Sequence, residues 1–129
     1  MSNEWLFDTG ALIDIYLGRG RIKPYFDQLI QGELLAHASV ISEAELWRGL
    51  RPGEQDKHQA LLARFMVLPL RSETARLAGQ WMQHYQGAGL GWMDAFIAAT
   101  AHLADMPVLT RDKKLATLLK AEAQFHLYD

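Results

Sequence analysis

Two periods of apolar residues alternate along this chain. The run Trp5-Leu6-Phe7, closed by Asp8, predicts a short buried strand over residues 4–8. Thr9 is placed to cap a helix in which Ala11, Leu12, Ile15 and Tyr16 recur at helical spacing. Gly18-Arg19-Gly20 breaks that helix, Pro24 suits the first turn of a second one, and Gly32 suits its end. Residues 34–38 read as a second strand, and Ser39 or Ser42 caps a third helix that reaches Leu50. After the Pro52-Gly53 turn, a helix from Glu54 to about Met66 is expected to bury Leu61, Leu62, Phe65 and Met66. Residues 67–70 predict a strand, with Pro69 placing it at a sheet edge. Ser72 then caps a helix with Ala75, Ala78, Met82 and Tyr85 on its inner face. Beyond a glycine-rich joint at residues 87–91, residues 92–104 form a helix apolar nearly all round, hence buried. A strand at 107–110, a helix from Asp112 to about Ala121 and a strand at 125–128 complete the pattern.

Strand and helix alternate in this way only if a mainly parallel sheet is covered on both faces by helices, an α/β fold. Ligand sites of such sheets lie beyond the carboxyl ends of the strands. Asp8 closes the first strand and Asp112 follows the fourth, so topology alone brings two sequence-distant acids to one edge. Asp94, near the start of its helix, and Glu45, within the third, are expected at the same edge.

Composition narrows the class. A chain of 129 residues, half of them hydrophobic, fits one domain over residues 1–129 with a core of its own. It has no cysteine, which excludes disulfides and thiolate metal sites and fits a reducing, cytoplasmic setting. No apolar run reaches membrane-spanning length, and Met1-Ser2-Asn3-Glu4 lacks the basic start of a signal peptide, so no membrane contact is expected. A formal charge of -2 argues against a general nucleic-acid coat protein but allows a local grip.

Acids beside apolar runs are costly unless paired or bound to a cation. Asp8, Glu45, Asp94 and Asp112 together suit magnesium, a hard cation that prefers carboxylate oxygens and keeps several waters. Such a site does phosphodiester chemistry through an activated water. Each acid also has a plain reading. Asp8 and Asp112 suit helix caps, Asp94 suits the first turn of its helix, and Glu45 suits a solvated position paired with Arg48 or Arg51. Thr9 and Thr110 flank the strand-end aspartates, and Arg48, Arg111 and Lys113 stand near the expected site as phosphate contacts. Asp14 and Glu43 read as surface acids, with a supporting place behind the metal ligands as the alternative for either.

Rival chemistries fare poorly. The five histidines lack zinc-ligand spacing, and no serine sits in a nucleophile elbow. The glycines at 87, 89 and 91 follow a helix rather than a strand and precede no Gly-Lys-Ser/Thr, so a nucleotide-cradling loop is not indicated. The apolar positions Leu46, Trp47, Leu50 and the stripe from Leu61 to Met66 suggest a partner groove or dimer face.

Four segments carry a resemblance: LFDTGALI at 6–13, ISEAELWRG at 41–49, DAFIAATA at 94–101 and VLTRD at 108–112. In this order, on this alternation, they resemble the PIN-domain family, and within it the VapC-like toxins of bacterial toxin–antitoxin pairs. The resemblance spans essentially the whole chain. It implies a three-layer α/β/α sandwich and a magnesium-dependent endoribonuclease, with manganese as substitute. Asp8 and Asp94 would be the main metal ligands, completed by Glu45 and Asp112, with Thr110 at the family's hydroxyl position. It also implies RNA as substrate, a homodimer, and a cognate antitoxin protein through which alone the toxin meets DNA. Met93 before Asp94, and Lys113-Lys114-Leu115 where an aromatic is frequent, depart from the family pattern. The alternatives are a non-catalytic module of the same shape and a structure-specific nuclease acting on other nucleic acid.

Overall fold

The computed structural model describes residues 3–129. Five strands, β1 (Glu4–Phe7), β2 (Leu35–Ser39), β3 (Met66–Leu68), β4 (Val108–Thr110) and β5 (Phe125–Leu127), form one sheet in the order β3-β2-β1-β4-β5. Every pairing is parallel, in registers such as Leu6 opposite His37 and Val108. The chain builds outward from β1 to β3, then crosses back to lay β4 and β5 on the other side. The order therefore reverses between β1 and β4, which is where an open α/β sheet leaves a crevice at its carboxyl end.

Seven helices cover the sheet: α1 (Thr9–Tyr16), α2 (Lys23–Ile30), α3 (Val40–Arg48), α4 (Gln55–Leu62), α5 (Ser72–Tyr85), α6 (Trp92–Leu103) and α7 (Lys113–Leu118). Neighbouring strand residues point to opposite faces. Phe7 and Leu109 join Leu12, Ile22, Leu46, Leu61, Leu62 and Phe65 in one layer. Leu6 and Val108 turn the other way, onto Ile97, Ala101 and Met106. Ala78, Trp81 and Met82 of α5 pack with Ala95, Ala98 and Ala99 of α6 and with Leu115 and Leu119. This is the expected α/β/α sandwich, with an all-parallel sheet. Fully burying one such Leu or Phe contributes about 1.5–3 kcal/mol. The alanine-rich face of α6 lets α5 approach closely, whereas α3 packs against both α1 and α6 and so crosses between the two layers.

Several expectations are corrected. Helix α4 ends at Leu62, and Met66 is an exposed strand residue, because β3 starts there in register with His37. The inner face of α5 carries Thr74, Ala78, Trp81 and Met82, with Ala75 exposed. Arg71, not Ser72, occupies the cap position there, and its N–H donates to the Thr74 hydroxyl at 3.3 Å. Helix α6 is buried through its middle only: Trp92, Met93 and Leu103 at its ends reach solvent. Leu46, Leu61, Leu62 and Phe65 are core residues rather than a partner face. Ile13 and Leu17 are exposed apolar side chains beside a cleft that Tyr16, Leu46 and Gly49 also line. Among the described residues, no helix is long and apolar enough to cross a membrane.

Candidate active site

Two strand ends supply the first two acids. At the end of β1 the chain stays extended through Asp8 (φ -73°, ψ 174°) and then turns into α1. The Ala11 N–H donates to Asp8 Oδ1 at 2.8 Å, closing the first turn. Beyond β4 the same device recurs: Asp112 caps α7, and its Oδ1 accepts the Leu115 N–H at 3.0 Å. A cap of this kind is worth about 1 kcal/mol, and the helix dipole adds to it. The plain reading of these acids and the functional one are thus compatible. One oxygen of each carboxylate is spent on a helix, and among the described residues no second bond from an N–H holds the other.

The other two acids arrive on helices. Asp94 lies in the first turn of α6. Glu45 lies in α3, which packs on both α1 and α6. Glu45 does not pair with Arg48; its Oε1 accepts the Thr9 hydroxyl at 2.7 Å. Thr9 Oγ1 also stands 2.8 Å from the buried Ser42 hydroxyl. Ser39, rather than Ser42, caps α3 by accepting the Ile41 N–H, which frees Ser42 for this contact. Thr9 is the first residue of α1, not its cap, and this turns its hydroxyl toward α3.

Two of these carboxylates, Asp8 and Asp94, are perturbed by burial and by neighbouring acids. Burial, chiefly, pushes Asp8 from 3.8 up to about 6. The neighbouring Thr110 hydroxyl and the hydrogen bond from the Ala11 N–H oppose this, and the charges of Asp94 and Asp112 add to it. Asp94 is likewise raised by burial, then by Asp112 and Glu45. Like charges placed together with burial are the arrangement a cation relieves. Asp94 and Asp112 also line a small cleft of about 40 Å³ with Gly89, Leu90 and Lys114, comparable to the ~30 Å³ share of one water. The clustering is loose: among the described residues, no three Asp, Glu or His side chains converge tightly enough as they stand to enclose an ion. The donor set is nevertheless all oxygen, and magnesium needs only one or two carboxylates because it keeps its waters. The residues fit such a group in chemistry, since Asp8 and Asp112 each use only one oxygen as a helix cap.

Around this group, Thr110 is fully buried and accepts the Asp112 N–H at 3.0 Å, fixing the turn after β4. Arg48 is exposed on α3. Lys113 points to Asp129, 3.9 Å away, whereas its neighbour Lys114 lines the cleft. Arg111 turns toward Asp14, which is 1% exposed and not a surface acid. Asp14 also holds Arg19 at 2.7 Å and accepts the Tyr128 hydroxyl at 2.6 Å. Burial, then the Asp14 carboxylate, raises the Tyr128 phenol. The signal for Asp14 was present in the sequence: it stands three residues after Ala11, on the inner face of an apolar helix.

A doubly wound parallel sheet with acids gathered at the point where its strand order reverses defines an α/β protein that binds its ligand beyond the strand ends. A family model described as PIN domain matches residues 5–119, and the chain belongs to that family. A relative called Ribonuclease VapC10, from Mycobacterium tuberculosis, is 42% identical over 76 residues. That match spans 56% of this chain and 56% of the relative's length. A toxin–antitoxin complex from Klebsiella pneumoniae superposes with a TM-score of 0.73 at 27% identity, covering 94% of each chain. VapBC2 from Rickettsia felis, bound to a DNA fragment from its promoter, superposes with a TM-score of 0.78 over 98% of this chain and 99% of that one. At 16% identity, the latter speaks for the fold alone.

Proposed function

We propose that this protein is a metal-dependent endoribonuclease, the toxin of a bacterial toxin–antitoxin pair. The observation that carries the proposal is the raised carboxyls of Asp8 and Asp94, buried at the switch point of a PIN fold and subject to the charges of neighbouring acids, Asp94 and Asp112 for the first and Asp112 and Glu45 for the second. The name of the M. tuberculosis relative supports ribonuclease activity, and the K. pneumoniae neighbour supports an antitoxin partner. Asp8 and Asp94, the two carboxylates raised by burial, would hold magnesium or manganese, with Glu45 and Asp112 completing the site directly or through waters. When bound, the ion supplies a more acidic water and offsets charge on the attacked phosphate.

The chain's own residues do the remaining work. Asp8 presents its uncapped oxygen while its other oxygen is held by the Ala11 N–H. Thr9, itself against Ser42, holds Glu45 in one rotamer. Lys114 lines the cleft with Asp94 and Asp112, where it would meet a phosphate oxygen. The proposed homodimer and the antitoxin each need an apolar surface, and Ile13 and Leu17 offer one beside the Glu45 cleft.

Asp8→Asn and Asp94→Asn test the reading directly. Each should lower manganese-supported cleavage of single-stranded RNA by at least roughly 100-fold and remove growth arrest on expression, with unchanged circular dichroism. Wild-type cleavage in both variants overturns it. The loose geometry of the carboxylates favours one rival, a non-catalytic binding module. Calorimetry separates the two, because a module without metal chemistry takes up no manganese at millimolar concentration.

A further inference from the structure

The carboxylate edge adjoins a second, basic cleft across Gly10. A Cβ placed on Gly10 would stand 3.5 Å from Asp8 Oδ1 and 3.8 Å from Arg111 Nε. Arg111, the residue before Asp112, therefore passes close to the first acid. It enters a cleft of about 460 Å³ lined with Asp14, Arg19, Gly20 and Arg21. The Asp14 carboxylate is the floor. Arg19 Nη1 donates to its Oδ1 at 2.7 Å, while Arg111 Nε stands 3.2 Å from Oδ2, which also accepts the Tyr128 hydroxyl.

This arrangement orients two guanidiniums without using them up. A guanidinium has five N–H donors, and the side chains of Arg19 and Arg111 remain 47% and 45% exposed over the buried carboxylate. Arg21 is exposed beside them. Three guanidiniums against one carboxylate leave the cleft positive, although the whole chain carries a formal charge of -2. Arg pairs with phosphate through two parallel N–H···O bonds, and pre-orientation lowers the entropy lost in doing so. Phosphate contacts set the register of a strand rather than read its bases.

We propose that Arg19, Arg21 and Arg111, braced by Asp14, form a phosphate-binding subsite that grips the RNA backbone on the Gly10 side of the carboxylates and so sets which phosphodiester lies over them. The subsite rests on the nuclease reading above for its substrate. It predicts that RNA binding is electrostatic here and separable from chemistry.

The test uses the full chain with EDTA present, so that no strand is cut. Binding of a labelled single-stranded oligouridylate of about ten nucleotides is followed by fluorescence anisotropy across a salt series. Arg19→Gln/Arg21→Gln should lower the slope of log affinity against log salt by about 0.7 for each phosphate no longer neutralised, while Arg76→Gln on α5 keeps the wild-type slope. With manganese restored, the double variant should raise KM about tenfold with kcat little changed, the pattern expected when uniform binding is removed. A wild-type slope in the double variant overturns the subsite even if the wild type cleaves RNA. Absence of RNA binding by the wild type overturns it as well. An acidic peptide offers carboxylates to the same fork: loss of affinity for a Glu-rich peptide with an unchanged RNA slope would overturn it in favour of a protein ligand. If the slope falls as expected but the wild type cuts no RNA, the subsite stands and the nuclease reading fails.

Discussion

Asp8→Asn should stabilise the metal-free protein increasingly as pH rises. The Asp8 carboxyl is raised from 3.8 to about 6, chiefly by burial and further by Asp94 and Asp112. The folded protein thus holds this proton more tightly than the unfolded chain does. Its stabilising effect is complete below pH 3.8 and is lost as pH rises through about 6. At about 1.4 kcal/mol per pH unit, the full rise corresponds to roughly 3 kcal/mol. Only part of it falls in an accessible window: between about pH 4.5 and about pH 7.5 the wild type should lose about 2 kcal/mol through this group. Asparagine removes the charge and is as good a helix cap as aspartate, so the bond to the Ala11 N–H survives. Urea unfolding of both proteins in EDTA at the two pH values measures the difference. The advantage of Asp8→Asn over the wild type should grow by about 2 kcal/mol on going to the higher pH. Saturating manganese at the higher pH should cancel it, since a ligand at about 100 times its Kd stabilises the folded state by about 2.7 kcal/mol. Parallel stability profiles for the two proteins would show that Asp8 ionises normally, and the electrostatic case for the site would fall with it.

Two further substitutions probe the supports of the site. Thr9→Val keeps the shape but removes the hydroxyl shared by Glu45 and Ser42; it should cost about 1–3 kcal/mol in urea unfolding and weaken manganese binding by about 10-fold or more in calorimetry. Tyr128→Phe leaves the buried Asp14 with two cationic partners and no phenol; it should lower stability by about 1–3 kcal/mol with the far-ultraviolet spectrum unchanged.

Much of this protein was legible in its residues because local physics fixed it. Period-two and period-3.6 patterns located all five strands and the seven helices that cover them. The alternation made a parallel sheet unavoidable, and Asp8 and Asp112 had to follow two of its strands. Boundary errors, up to four residues at the end of α4, came where a side chain served two elements. Met66 continued the apolar pattern of α4 but opened β3, and Thr74 took an inner position on α5 because its hydroxyl also closes the first turn.

What the tertiary structure decided is the direction of each side chain and the distance between groups far apart in sequence. Helical spacing does not say which way α3 is rotated, so the Thr9 contact of Glu45 depends on how α1 and α3 pack. Asp14 looked like a solvated acid until Arg19, Arg111 and Tyr128 met over it, drawn from positions up to 114 residues apart. The linear chain determines which residues are costly to leave unpaired, because burial and charge are properties of single residues and their neighbours. Which partner meets that cost is settled only when the layers close, because the Coulomb interaction falls with a separation in space that sequence position does not encode.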